Sequence, residues 1–183
     1  MGVPPLNRAV FLDRDGVLNE ATVSEAVPHP PQDAADFRFL PGVADACRRL
    51  REANFTLIVV TNQPDVARGT QSLQSVEAMN AKVRRELPVQ DVLTCFHDDA
   101  DHCDCRKPKP GLLLRAAKER AIDLKSSFMV GDRWRDVEAG RAAGCASILI
   151  ERDYSRKDLC RPDFIARDLP HAAQIILDAG AHQ

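Results

Sequence analysis

Four short stretches hold the polar residues best suited to chemistry. Asp13-Arg14-Asp15-Gly16, Thr61-Asn62-Gln63, Arg106-Lys107 and Gly131-Asp132-Arg133 together supply three carboxylates, a hydroxyl, an ammonium and three guanidinium groups. That inventory suits phosphoryl transfer. A carboxylate can attack phosphorus to form an aspartyl-phosphate, which splits one hard step into two. A second carboxyl group can protonate the leaving oxygen and later activate water. Mg2+ takes hard oxygen ligands and offsets charge between carboxylates and phosphate. A lysine ammonium and a threonine hydroxyl can hold the equatorial oxygens. Enzymes accelerate the very slow hydrolysis of phosphate monoesters by up to ~10^21-fold, so several such groups must act together.

A fifth stretch has softer ligands. CFHDDADHCDCRKPKPG, residues 95–111, crowds three of the six cysteines and two of the five histidines against Arg106, Lys107 and Lys109. Cys95, His97, Cys103 and Cys105 read C-x-H-x5-C-x-C, four ligands suited to a closed tetrahedral Zn2+ site. With every position taken by protein, such a zinc would be structural, folding a polar loop and fixing Arg106 and Lys107 in place. His102 is a rival ligand, and a loop of free thiols is the plainer reading. Cys47, Cys145 and Cys160 read as buried or incidental thiols. A metal knuckle that binds nucleic acid is another use for these residues, but it needs a basic face or an aromatic platform. The chain has one Trp, one Tyr and a net charge of -2.

These residues need a scaffold, and the apolar pattern provides one. Ala9–Leu12 reads as a strand ending at Asp13, and Phe55–Val60 as a second ending at Thr61. Between them Pro41 opens a helix with Val43, Ala46, Cys47 and Leu50 at helical spacing. Ser72 caps a second helix through Val76, Met79, Val83 and Leu87. Val92–Phe96 is a third strand, entering the cysteine segment, and Pro110 starts the helix after it. Ser127–Val130 is a fourth strand, followed by a helix that Gly144 stops. Ala146–Ile150 and Asp163–Ala166 complete six strands before a closing helix over 172–177. Apolar strands alternating with helices predict an α/β, Rossmann-like parallel sheet covered on both faces. Ligands of such sheets bind beyond the strands' carboxyl ends, where four of the five stretches fall. Asn19–Leu40, rich in Pro and Asp, reads as a long loop over that end.

Taken singly, the stretches have plainer readings. Asp-x-Asp can be a solvated turn, Thr61-Asn62 a self-capping turn, Gly131-Asp132 a helix cap and Lys107 a surface charge. Their ordered arrival at separate strand ends favours catalysis.

The motifs FLDRDGVLN, VVTNQ with ARG behind it, CDCRKPKPG and VGDRWRD resemble those of the haloacid dehalogenase-like superfamily of Mg2+-dependent phosphatases. The resemblance runs from about Val10 to Ile150. It points to the small zinc-containing branch that holds the heptose-bisphosphate and histidinol-phosphate phosphatases. It implies Asp13 as nucleophile and Asp15 as general acid/base. It places Mg2+ on Asp13, the backbone carbonyl of Asp15, and Asp132. Thr61, Asn62 and Lys107 would grip the transferring phosphate, with Arg106 and Arg133 on the substrate. The resemblance also selects His97 over His102 for zinc, although Phe96 stands where the family usually has proline.

Asn19 and Ala67-Arg68-Gly69 suit the heptose-bisphosphate group, and Asn19 is expected to touch substrate. Ala21 and Ser24 replace an acidic residue and a tyrosine usual there, and the short His97–Cys103 spacing is that of histidinol-phosphate phosphatases. The expected substrate is therefore a small phosphorylated metabolite, a heptose 1,7-bisphosphate cleaved at its 7-phosphate, with histidinol phosphate as the alternative.

With 183 residues, 44% hydrophobic and 28% charged, the chain is expected to form one globular domain over 1–183. The intervals between motifs are filled by core elements, which excludes a separate cap domain of ~50 residues or more and predicts an open site. MGVPPLNR lacks the features of a signal peptide and no apolar run approaches ~20 residues. A cytoplasmic monomer is expected, with neither nucleic acid nor membrane as partner.

Overall fold

The structure is a computed structural model that describes residues 7–24 and 27–180. The N-terminal stretch read above for a signal peptide lies almost wholly outside them. Along the chain run β1 (Arg8–Leu12), β2 (Thr22–Ser24), β3 (Val27–His29), α1 (Val43–Glu52), β4 (Phe55–Asn62), α2 (Leu73–Glu86) and β5 (Asp91–Cys95). Then follow α3 (Gly111–Arg120), β6 (Phe128–Gly131), α4 (Trp134–Ala143), β7 (Ala146–Ile150), β8 (Phe164–Ala166) and α5 (Leu169–Gly180).

Six strands form one parallel sheet in the order β5-β4-β1-β6-β7-β8. The chain starts in the middle, winds outward to β5, then returns to β6 and winds the other way. The doubly wound, Rossmann-like expectation is therefore met. Winding in both directions from β1 leaves a crevice between the ends of β1 and β6, since their following segments diverge to opposite sides.

Strand geometry sends successive side chains to opposite faces, and both faces here are apolar. Val10 and Leu12 join one core with Leu50 of α1, Met79 of α2 and Ile176 of α5. Ala9 and Phe11 join the other with Leu113 of α3 and Ala139 of α4. Cys95 belongs to this second core, and Cys103 and Cys105 pack against it, so the cysteine loop is rooted in the face that α3 and α4 cover.

Two readings change. The stretch 19–40 is not simply a loop: β2 and β3 pair antiparallel within it, and Phe37 is fully buried. Its base is closed by Glu20 N–H to Arg38 O and Leu40 N–H to Leu18 O. Strands of three residues are too short to show a period of two, which is why the pattern missed them. β4 also continues to Asn62, so Thr61 and Asn62 stand on the strand rather than in the turn beyond it. Among the described residues there is no cap domain, and no helix is long and apolar enough to cross a membrane.

Candidate active site

The ends of β1, β4 and β6, with the segment after β5, open onto one cleft of about 280 Å3. Asp13, Asp15, Thr61, Asn62, Arg106, Lys107 and Arg133 line it, as do Arg68, Asp99, Arg135 and Asp136. Two glycines make the floor possible. Gly16 sits at φ 85°, and a Cβ there would meet Asp132 Oδ2 at 2.0 Å. A Cβ on Gly131 would lie 2.0 Å from the Asp136 side chain.

The two carboxylates of the first motif are in unlike surroundings. Both oxygens of Asp15 are taken: Oδ1 accepts from Asn19 Nδ2 at 2.9 Å, and Oδ2 from Gln63 Nε2 at 2.7 Å and Arg14 Nη2 at 3.0 Å. Burial pushes its carboxyl up, but the Arg14 charge and these donors prevail and hold it below its ordinary value. Asp13 accepts from Lys107 Nζ on Oδ1 at 2.8 Å, and its Oδ2 takes no hydrogen bond among the described residues. Burial raises it to about 6, against the pull of Lys107 and with help from anionic Asp136 and Asp15.

A carboxylate cluster lies behind Asp13. Asp13, Asp132 and Asp136 offer oxygens within 4.8 Å of one another, and all three residues are buried. Burial first, then the charges of Asp13 and Asp136, raise Asp132 to about 8. Its Oδ2 accepts from Tyr154 at 2.8 Å, whereas Oδ1 is buried with no partner. An orphaned oxygen among three crowded acids is a deficit of positive charge, and hard oxygen donors in this arrangement fit Mg2+.

Lys107 offsets part of that charge. Its ammonium reaches Asp13 Oδ1, Asp136 Oδ1 at 2.6 Å and Val60 O at 2.8 Å, which engages all three N–H groups. A phosphate oxygen can bind it only by replacing one of these. Asn62 is similarly committed: its amide donates to Lys107 O at 3.0 Å and accepts from Lys107 N at 3.1 Å, leaving one N–H for a ligand. Thr61 Oγ1 accepts from Gln63 at 2.8 Å, so its own proton is free to donate.

Asn19 is fully buried beneath Asp15, and its amide donates to Asp15 and Glu20 O. The structure places it behind the acid/base candidate and away from the cleft lining. Arg133 lines the cleft and donates to Pro28 O of β3 at 3.0 Å, tying the hairpin to α4. Arg106 lines it too, but donates to Asp99 at 2.8 Å, and Arg135 donates to the same carboxylate at 3.0 Å. Those two arginines hold Asp99 down at about 2. Arg68 forks onto Asp98 with two 2.7 Å bonds.

Several of these residues escaped the sequence reading as site residues. Asp136 could have been found, because it stands four residues past Asp132 in VGDRWRD. Arg14 and Gln63 lay within quoted motifs without a role. Arg135 also lay within VGDRWRD without a role, and nothing local pointed to Tyr154.

The soft ligands also converge. Cys105 Sγ lies 3.1 Å from Cys95 Sγ, 3.4 Å from Cys103 Sγ and 3.2 Å from His97 Nδ1. Cys95 Sγ is 3.7 Å from both Cys103 Sγ and His97 Nδ1. Zn–S bonds of about 2.3 Å in a tetrahedron give edges of about 3.7 Å, close to this spacing. His102 is not in the cluster; it ends the short 3-10 turn Asp99–Asp101 with a left-handed backbone.

Comparison with known proteins agrees with this geometry. A HAD-hydrolase-like family model matches residues 104–172. The D-glycero-beta-D-manno-heptose-1,7-bisphosphate 7-phosphatase of Yersinia pestis is 38% identical over 156 residues, 79% of this chain and 80% of that protein. The same enzyme of Pseudomonas aeruginosa is 34% identical over 94% of this chain and 93% of its own length. The crystal structure of D,D-heptose 1,7-bisphosphate phosphatase from B. bronchiseptica, complexed with magnesium and phosphate, superposes with a TM-score of 0.82. It is 32% identical and covers 94% of this chain and 99% of that one.

Proposed function

This chain belongs to the haloacid dehalogenase-like phosphatases, and from that premise we propose a Mg2+-dependent cleavage of the 7-phosphate of D-glycero-D-manno-heptose 1,7-bisphosphate through an aspartyl-phosphate. The contrast between Asp13 and Asp15 carries the reading. Asp13 keeps one oxygen without a hydrogen bond at the cleft, whereas Asp15 is held by donors on both oxygens. The first has an oxygen free to attack, and the second is fixed beside it, able to carry a proton once the substrate's negative charge raises its affinity for one.

Asp13, Asp132 and the backbone carbonyl of Asp15 would hold Mg2+, with Asp136 close by. Bound there, the ion would offset negative charge between carboxylates and phosphate and polarise the phosphorus–oxygen bonds. Asp13 forms the new bond to phosphorus as the sugar–oxygen bond to phosphorus breaks. Asp15, an anion in the free cleft, takes up a proton from water as the substrate binds and gives it to the departing sugar oxygen. The arriving phosphate dianion supplies that proton's retention, since a like charge alongside raises a carboxyl's affinity for it. Water then attacks phosphorus, Asp15 takes its proton, and Asp13 is released. Thr61 O–H and the spare Asn62 N–H orient the equatorial oxygens, and Arg106 and Arg133 face the rest of the substrate.

We assign Cys95, His97, Cys103 and Cys105 to a structural Zn2+, supported by their spacing and by the absence of an open fourth position. Six cysteines, none of them in a disulfide, suit a reducing compartment such as the cytoplasm.

A panel assay tests the substrate. Phosphate release should be fastest from the heptose bisphosphate and should need Mg2+, with histidinol phosphate and 3'-phosphorylated DNA far behind. Arg106→Ala should raise KM about tenfold for the bisphosphate and much less for p-nitrophenyl phosphate, because a bidentate fork serves a phosphate that is not cleaved. Preference for histidinol phosphate, or equal KM effects on both substrates, would sink the bisphosphate assignment.

A further inference from the structure

Asp132 is fully buried, and only one of its two carboxylate oxygens has a protein partner. Tyr154 O–H donates to Oδ2 at 2.8 Å and Oδ1 is buried without a partner, while the carboxylate as a whole offers an oxygen within 4.8 Å of oxygens from Asp13 and Asp136. The phenol comes from the segment after β7, next to β6 in the sheet. We infer that Tyr154 is a positioning residue for the cation: it pins Oδ2 and thereby presents Oδ1 to Mg2+.

The surrounding structure is arranged to keep that phenol in place. Ser155 is buried and its Oγ donates to Ile150 O at 3.2 Å and accepts from Arg152 N at 2.7 Å, which closes the turn that carries Tyr154. Arg152 Nη2 donates to Gly16 O at 3.1 Å, fastening the turn to the nucleophile's own loop. A Cβ on Gly16 would lie 2.9 Å from the Tyr154 oxygen as well as 2.0 Å from Asp132 Oδ2. The absent side chain therefore leaves room for this hydrogen bond. Three strand ends, β1, β6 and β7, meet at one contact.

The chemistry follows from the donor inventory. A phenol has one proton, and against a carboxylate it can only donate. The oxygen it pins is less available to a metal, and the carboxylate cannot rotate to exchange the two. Groups that orient metal ligands in this way commonly change metal affinity by 10- to 100-fold when removed. This assignment rests on the proposed Mg2+-dependent reaction, because an Asp132 that binds no cation needs no such orientation.

Tyr154→Phe removes the proton donor and keeps the ring. Titration calorimetry with MgCl2 alone should show Kd for Mg2+ raised about tenfold or more. The rise in melting temperature that MgCl2 gives each variant over its own metal-free form should shrink accordingly. The kcat should recover at saturating Mg2+. Arg152→Gln, which loosens only the turn, should move Kd in the same direction by less. Wild-type Mg2+ affinity in Tyr154→Phe would overturn the inference, as would a variant that fails to fold while Arg152→Gln binds Mg2+ normally. Failure of the wild-type protein to bind Mg2+ would instead overturn the reaction on which the inference stands.

Discussion

The cleft and the cysteine loop both bring ligand atoms to within 4.8 Å of one another, yet they are built in opposite ways. The loop draws its four soft ligands from residues 95–105, a single short segment. The cleft draws its carboxylates from the ends of β1 and β6 and its lysine from beyond β5. The loop's thiols and imidazole have few protein donors and would be completed by one metal. The cleft is already crosslinked by Arg14, Asn19, Gln63, Lys107 and Tyr154, each of which limits what its carboxylate can do. A local site depends on its ligand set, whereas an assembled one depends on its scaffold. Lys107 and Asn62 join the two, because Asn62 clamps the backbone of Lys107, two residues past Cys105.

Breaking the cleft alone should have the largest effect. Asp13→Asn keeps the side chain's shape but removes the attacking oxygen, so kcat should fall by at least about 10^4-fold, the scale of nucleophile deletions. Bound zinc, measured by atomic absorption, should stay at wild-type level. Turnover near that of the wild type would rule out the covalent route.

Breaking the loop alone should reverse that pattern. Cys105→Ser takes away the sulfur closest to the other three ligands and should lose the metal. A loss of about 3 kcal/mol or more, modest for a structural zinc, lowers the melting temperature of a domain this size by roughly 6–12 °C. Added Mg2+ should not restore it. Zinc-free protein with unchanged melting and activity would show that the loop stands on its own hydrogen bonds.

The smallest effect sharpens the comparison within the cleft. Asn19→Ala removes a donor from Asp15 without touching the cleft lining, so kcat should fall about tenfold, in the range of a hydrogen bond to a charged group, with KM unchanged. A raised KM with unaltered kcat would restore Asn19 to the substrate contacts.

Much of this molecule could be read from its chain. Apolar runs at Ala9–Leu12 and Phe55–Val60 could only be buried strands, and the polar residues after each marked the ends that matter. The cysteines stood out as candidate ligands because they lie close together in sequence, and the family resemblance, not the spacing, chose His97 over His102. The paired strands Thr22–Ser24 and Val27–His29 were not legible, being too short for periodicity and held by pairing at their base.

What the chain could not say is what each polar group has left to offer. By sequence alone Asp13 and Asp15 are two acids in one motif, Asn19 suits a substrate contact, and Lys107 is a cation beside a phosphate site. The tertiary structure decided that Asp15 is held on both oxygens, that Asn19 is one of the residues holding it, and that Lys107 lies between two carboxylates. It also brought Asp136 and Tyr154 into the site. The physical reason is that residue type sets how many hydrogen bonds a group can make, while burial and long-range neighbours determine which are already made.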